Sequence, residues 1–297
     1  MRKNKIKKHV LRQIFPLVFF ILLLVYAVSL LVPFLWTLMS SLKSRLDFRM
    51  DPFGLPASIE WENYVKAFNG LYIQVTDGAG VRNVFMLEMF GYTLAYAVGA
   101  TILSTLSHMV VAYICAKYTR FKITKVLYSI VIITMILPIV GSLPSEMQVV
   151  KALGLYNNIL GAWIMKASFL GMHFLMFYAT FKGISWEYAE AAFMDGASHA
   201  RVMFQIMFPL AKTTIAGLML LSFIGFWNDY NMSMIYMPDI PTIAYGLFRF
   251  QFSTGQETSS ITIQLAGCTI VMFPIFVLFL CFRKQLIGNI AIGGIKG

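Results

Sequence analysis

The sequence predicts an all-α membrane protein: six transmembrane helices, with a cytoplasmic helical elbow between spans four and five. Three observations predict it. Only 12% of the 297 residues are charged, 59% are hydrophobic and mean hydropathy is +0.73, whereas soluble domains are about a quarter charged. Apolar runs of roughly 20 residues, the length that crosses a hydrocarbon core, recur along the chain. Lysine and arginine gather at the ends of those runs: Arg2, Lys3, Lys5, Lys7, Lys8 and Arg12 before the first, Lys117, Arg120, Lys122 and Lys125 between the second and third, Arg283 and Lys284 after the last. The net charge of +11 therefore reads as a device for orientation in the bilayer, not as a nucleic-acid footprint.

Residues 1–13 form a basic cytoplasmic tail, and 14–284 form one membrane domain without an internal repeat. The first span covers about 14–40; it is longer than a signal-peptide core and no small-residue cleavage site follows, so it stays attached with the N-terminus inside. Segment 41–83 carries turn chemistry at Asp51-Pro52-Phe53-Gly54 and Asp77-Gly78 and is expected to make a small extracytoplasmic cap. Its bases, Lys43, Arg45, Arg49, Lys66 and Arg82, are offset by Asp47, Asp51, Glu60, Glu62 and Asp77. Spans two, three and four follow at about 85–115, 124–143 and 158–182. Residues 145–158, bounded by Pro144 and Gly154, read as an amphipathic piece at the outer interface. Spans five and six are placed at about 207–228 and 260–282, separated by an outer loop at 229–259 in which Pro238 and Pro241 break any helix. Residues 285–297 return to the cytoplasm, so both termini lie there. Cys115, Cys268 and Cys281 sit in or beside apolar runs without metal spacing and read as buried thiols.

The elbow at 185–208 is the most informative stretch. Ser185 can cap a first short helix, and Glu187 and Glu190 place carboxylates in its early turns. Gly196 stands where a left-handed C′ residue is wanted, with Ala197 behind it for the accompanying apolar contact. Ser198 can cap a second helix to about Phe208, and Pro209 suits the first turn of the next span. Two well-made helices between membrane segments form a docking surface more readily than a passive loop.

Several chemistries are missing. The chain has no Gly-x-x-x-x-Gly-Lys-Ser/Thr phosphate loop, no His-Glu-x-x-His and no Gly-x-Ser-x-Gly elbow, so neither ATP hydrolysis nor membrane catalysis is expected of it. Glu190-Ala191-Ala192, then Asp195-Gly196-Ala197 and Pro209, instead resembles the cytoplasmic Glu-Ala-Ala loop of ABC importer permeases, in the form found in the carbohydrate (maltose-type) branch. Trp227-Asn228-Asp229-Tyr230 is similar to a Trp-Asn-Asp-aromatic stretch of that branch, and Gly293-Gly294-Ile295-Lys296-Gly297 to its Gly-Gly-x-Lys-Gly tail.

The resemblance implies a permease subunit that moves a carbohydrate, an oligosaccharide by preference, across the cytoplasmic membrane. It implies separate ATPase subunits that bind the ATP, a second homologous permease and an extracytoplasmic sugar-binding protein; the chain itself holds no cofactor or metal. Glu187, Glu190, Ala191, Ala192, Asp195, Gly196 and Ala197 become the ATPase-docking residues of a coupling helix. Small side chains at Ala191 and Ala192 let two backbones approach, and Glu190 offers charge to a basic partner. Gly293, Gly294 and Lys296 become a tail contact with the ATPase. Trp227, Asn228, Asp229 and Tyr230 read either as substrate path or as an interfacial aromatic belt. Lys166 is expected to snorkel outward, His173 and His108 to be bonded interior residues and Glu88 to sit at the interface. The alternatives are an ABC permease for another solute, a stand-alone secondary carrier (for which inverted repeats and midplane charges are wanting) and a membrane enzyme.

Overall fold

The structure is a computed structural model and describes residues 2–77, 80–137, 141–252 and 260–292. Two compact units emerge, Met1–Gly70 with Phe250–Ile270, and Leu71–Arg249 with Val271–Gly297.

In the first unit, α1 runs Arg2–Ser41, and its stretch Ile14–Ser41 is apolar enough to cross a membrane, exposed through Val32 and buried only at Ser40 and Ser41. The segment after it is organised by a buried lysine: Lys43 is fully buried and donates to the carbonyl of Asp51 at 2.5 Å. Asn63 ties the same turn down, its amide donating to the carbonyls of Ser41 and Lys43 at 2.8 Å each. Helix α2 (Arg45–Met50) starts at Ser44, whose hydroxyl accepts from the Asp47 amide, and α3 covers Glu62–Gly70. The expected turn at Asp51 is there: its Oδ1 accepts from the amides of Phe53 and Gly54 at 3.1 and 2.8 Å.

The second unit begins with a correction to the all-α expectation. Strands β1 (Tyr72–Asp77) and β2 (Gly80–Phe85) pair antiparallel, with Ile73 opposite Val84 and Asp77 opposite Gly80. Ile73, Val75 and Val84 are buried, so this is an alternating half-buried strand pair; of the expected Asp77-Gly78 turn, Gly78 lies outside the described residues. Helix α4 (Met86–Lys117) is the centre of the unit, with half of its apolar window buried. Ala97, Ala100, Ser104 and Ala112 are all buried along it, and small residues of this kind let neighbouring helices approach.

Helix α5 (Lys122–Ile136) stops at Leu137, the residue before Pro138, where the α conformation is disfavoured. Helix α6 (Leu143–Ala152) carries Pro144 in its first turn and ends at Gly154 (φ 68°), close to the expected interfacial piece. The expected fourth span is broken. Helix α7 (Ile159–Lys166) ends, residues 167–171 leave the helix, and α8 (Met172–Gly183) resumes. Gly171 takes φ 115°, open to glycine alone without strain, and the Ser168 hydroxyl accepts from the Leu170 amide, drawing the backbone into a turn.

Helices α9 (Glu187–Met194) and α10 (His199–Val202) follow, then a π-helical stretch Met203–Met207, α11 (Phe208–Leu210) and α12 (Lys212–Trp227). The chain bends by 80° between His199–Leu210 and Lys212–Trp227, so the elbow extends two residues past its expected end. A second π turn covers Met232–Tyr236, and α13 spans Ile243–Phe250. Pro241 therefore precedes a helix where a helix-free loop was expected, proline costing nothing ahead of a first turn. Helix α14 (Ile261–Ile292) is apolar from Ile261 to Phe282 and tolerates Pro274. Among the described residues, α1, α4 and α14 are long and apolar enough to cross a membrane, and the bent pair makes a fourth crossing if counted as one span.

Candidate functional site

The elbow closes as the local chemistry demands. The Ala197 amide donates to the Ala192 carbonyl at 2.9 Å and the Gly196 amide to the Phe193 carbonyl at 3.0 Å, with Gly196 at φ 81°. This is the paired-bond Schellman stop, satisfying two carbonyls that α9 would otherwise leave orphaned. Ser185 accepts from the Glu187 amide at 3.3 Å, and Ser198 caps α10 by accepting from the Arg201 amide at 3.3 Å.

Helix α9 has two faces. Ala189 is fully buried, and Trp186, Ala192, Phe193 and Ala197 pack against the same cluster, which includes Tyr113, Phe181, Val202 and Met207. Glu187, Tyr188, Glu190, Ala191, Met194 and Asp195 point outward, with Met194 88% exposed and Tyr188 55%. The docking pair expected at Ala191 and Ala192 is thus divided: Ala191 is on the open face, whereas Ala192 turns toward the core. Ala189, overlooked in the sequence, is the small residue that lets α9 lie flat on its support. Among the described residues, the carboxylates of Glu187, Glu190 and Asp195 form no ion pair.

The support is the end of α4. The Lys117 ammonium donates to the Ile184 carbonyl, the Tyr118 hydroxyl meets His199 Nδ1 at 2.8 Å, and Trp186 sets its ring edge-on to Tyr118 at 5.8 Å. Phe193 completes the wedge, 4.8 Å from the His199 ring and 6.0 Å from Trp186. Rings in contact thus join α9 to the end of α4 and to α10.

The stretch expected as path or belt is placed differently. Trp227 is 1% exposed, between Phe90 and Phe223, so it does not belong to an interfacial belt. Asp229 Oδ2 takes the Lys166 ammonium at 2.9 Å and the Tyr96 hydroxyl at 3.0 Å, while Oδ1 caps the Met232 amide at 3.1 Å. Lys166 is thus paired instead of snorkelling; separations of 63 and 133 residues put both partners beyond reach of a local sequence rule. Asn228 is exposed, its amide on the Ile224 carbonyl at 2.8 Å, and Tyr230 stacks on Phe248 at 4.7 Å. Glu88 pairs with Arg82 at 2.8 Å. His108 pins the break in span four, with Nε2 on the Leu170 carbonyl at 3.1 Å and Nδ1 on the Ser104 carbonyl at 2.6 Å, and its ring lies 5.7 Å from that of His173. Gly293, Gly294 and Lys296 lie outside the described residues.

Residues 108–290, which contain both the elbow and the Asp229 cluster, match the family described as binding-protein-dependent transport system inner membrane component. The chain belongs to this family. It is thereby a membrane-bound permease subunit of an ATP-binding-cassette importer. Among curated relatives, it is 26% identical over 276 residues to the diacetylchitobiose uptake system permease protein NgcG of Streptomyces coelicolor, spanning 92% of this chain and 86% of the relative. It is 25% identical to the melibiose/raffinose/stachyose import permease protein MelC of Bacillus subtilis, spanning 90% and 91%. In fold it is similar to a subunit of a bacterial ABC transporter that imports the acidic polysaccharide alginate, with a TM-score of 0.74 over 92% of this chain and 96% of that one, at 24% identity.

Proposed function

We propose that the chain is the translocation subunit of a carbohydrate importer and that α9 is the lever through which separate ATPase subunits drive it. The observation that carries the proposal is the two-faced α9. One face is anchored through Trp186, Phe193 and His199 to the end of α4, and the other holds carboxylates that form no ion pair among the described residues, beside exposed Met194 and Tyr188. A surface of that make fits a cleft with an apolar floor and basic walls, and a desolvated charge pair there costs several kcal/mol (about 2–5) when one partner is truncated. Relatives named for diacetylchitobiose and for melibiose, raffinose and stachyose support an oligosaccharide as the solute.

In this reading six crossings are built from α1, α4, α5, the broken α7–α8 pair, the bent elbow with α12, and α14, with both termini in the cytoplasm. A second, homologous permease completes the path, and an extracytoplasmic sugar-binding protein delivers the solute. ATP is bound by the ATPases, whose closure pushes the two coupling helices, and the spans follow because the ATPases hold ATP more tightly in one state than the other. Gly293, Gly294 and Lys296 would reach the ATPase as a second contact. Along the path, exposed Asn228 is free to meet a solute, while Asp229 acts through the ion pair it anchors. The test is uptake: a stably expressed Glu190→Lys chain is expected to lose sugar transport and sugar-stimulated ATP hydrolysis together. Full uptake by that variant would overturn the assignment of α9.

A further inference from the structure

Beside the elbow is a cleft of about 380 Å³ that shares Tyr118 and His199 with the anchor of α9 and to which the transport reading assigns no ligand. Its walls are Tyr113, Tyr118, Phe121, Ile123, Met203 and the His199 ring, from the α4–α5 turn on one side and α10 on the other. The polar groups of the wall are mostly spent: Thr124 donates to the carbonyls of Phe121 and Tyr118 at 2.7 and 3.2 Å, and Tyr118 is engaged with His199. What remains is an apolar surface, with Phe121 59% and Ile123 65% exposed. One polar group is left over. Among the described residues the buried Tyr113 hydroxyl has no partner at hydrogen-bonding geometry, a state that costs about 1–3 kcal/mol unless something accepts from it.

The rim is basic. Arg120 and Lys122 flank Phe121 in the chain, Arg201 follows Ala200 of the wall and Lys125 lies one residue beyond Thr124; all four are exposed, and none forms an ion pair among the described residues. An apolar trough, a stranded hydroxyl and exposed cations adjoining both walls in the chain match one class of ligand.

We propose that this cleft is a site for an anionic phospholipid of the cytoplasmic leaflet. An acyl chain lies along Phe121, Ile123 and Met203, an ester or phosphate oxygen accepts from the Tyr113 hydroxyl, and the headgroup charge meets Arg120, Lys122 and Arg201. Placing the cleft at the cytoplasmic surface rests on the orientation given under Proposed function. Because the cleft is walled by α10 on one side and the α4–α5 turn on the other, its occupant braces the elbow against the spans. Bilayer charge would then bear on coupling, each basic residue near an anionic surface contributing about 1 kcal/mol.

The test uses the chain purified with its partner subunits, delipidated in detergent and titrated with dioleoylphosphatidylglycerol or dioleoylphosphatidylcholine, with bound lipid read by native mass spectrometry. Phosphatidylglycerol is expected to be retained at least fivefold more tightly than phosphatidylcholine. The exposed pair Arg120→Gln and Lys122→Gln should abolish that preference. Met203→Trp, which fills the trough, should reduce retention of both lipids. Equal retention of the two lipids by the unaltered complex overturns the site, as does a preference that survives the paired charge removal. Retention by the isolated chain but not by the assembled complex would make the cleft a subunit contact and equally overturn it. ATPase subunits counted in the same spectra separate the two ideas: their loss speaks against the importer reading, and their presence with no lipid preference speaks against this one.

Discussion

The Asp229 cluster gives the sharpest energetic prediction. Asp229 receives an ammonium, a phenol and a backbone amide within 3.1 Å, and its side chain is only 17% exposed. Replacing it with alanine deletes those contacts and leaves Lys166 (31% exposed) and fully buried Tyr96 facing a gap. Hydrogen bonds to a charged group are worth about 1.5–3 kcal/mol each, and the three share one carboxylate and do not add, so Asp229→Ala should cost about 3 kcal/mol. Lys166→Met should cost less, about 1–2 kcal/mol, because it strands a carboxylate that still has the phenol and the amide. The double variant Asp229→Ala with Lys166→Met leaves neither charge without its partner, so its cost should fall below the sum of those two single variants by about 1 kcal/mol or more. Equilibrium unfolding of the purified chain in detergent, followed by tryptophan fluorescence, measures all of these. Costs that simply add would refute the ion pair as the source of stability. Costs below about 0.5 kcal/mol, the ordinary range for unconstrained surface positions, would refute the cluster altogether.

Other predictions follow from single positions. Gly196 sits at φ 81° with nothing within 4 Å of where a Cβ would stand, so Gly196→Ala meets only the left-handed backbone penalty of about 1–2 kcal/mol; amide exchange at Gly196 and Ala197 should quicken about 5- to 30-fold, and unchanged exchange would mean that the Schellman bonds contribute nothing. A Cβ at Gly161 would lie 2.0 Å from the Leu155 carbonyl oxygen, whereas one at Gly225 meets nothing within 4 Å. Gly161→Ala should therefore destabilise by more than the typical overpacking cost of about 1–3 kcal/mol while Gly225→Ala is neutral or stabilising, and a thermal scan showing the reverse order would contradict that packing. The amides of Gly54 and Phe53 hold the Asp51 carboxyl below the usual carboxylate range. Its contribution is thus complete above the unfolded pKa of about 4 and lost as pH falls through the lower folded value. Protection of the Gly54 amide, its exchange taken relative to the intrinsic rate at each pH, should fall on acidification in the native chain but stay level in Asp51→Asn, and identical pH profiles would rule the turn out as the cause.

Local rules carried furthest where a feature is closed by its own neighbours. The Gly196 stop, the Ser198 cap and the Asp51 turn all follow from residues within five positions of one another, and each forms as read; the piece expected at 145–158 is instead a shorter helix, Leu143–Ala152, that takes Pro144 into its first turn. The hairpin was half legible: the Asp77-Gly78 turn was read, but the alternation of Ile73, Val75 and Val84 was hidden by the apolar character of everything around it. Hydropathy also concealed the break in span four. Residues 158–182 read as one run because Ala167, Phe169 and Leu170 are apolar, and only Ser168 and Gly171 carry the signal that the helix lapses. Pro238 and Pro241 were read as helix breakers, although a proline ahead of Ile243 is compatible with the helix that starts there. The Lys166–Asp229–Tyr96 cluster and the burial of Trp227 depend on which helices meet, and no spacing within one helix reports that. The same limit divided Ala191 from Ala192: the triplet is visible in sequence, but which alanine faces the core is decided by Trp186 and Phe193 finding Tyr118 and His199.

The central claim is that the outward face of α9 is what an ATPase grips, and subunit retention tests it most directly. The tagged chain, co-expressed with its genomic neighbours and purified in detergent, would be weighed for bound ATPase with Glu190→Lys and Ala191→Arg on the open face beside Lys66→Gln, in the other unit, as a control. The account predicts an ATPase and a second permease with the unaltered chain and with Lys66→Gln, and at least tenfold less ATPase with either α9 variant while the second permease remains. Undiminished ATPase on both α9 variants, or its absence from the unaltered chain, would contradict it.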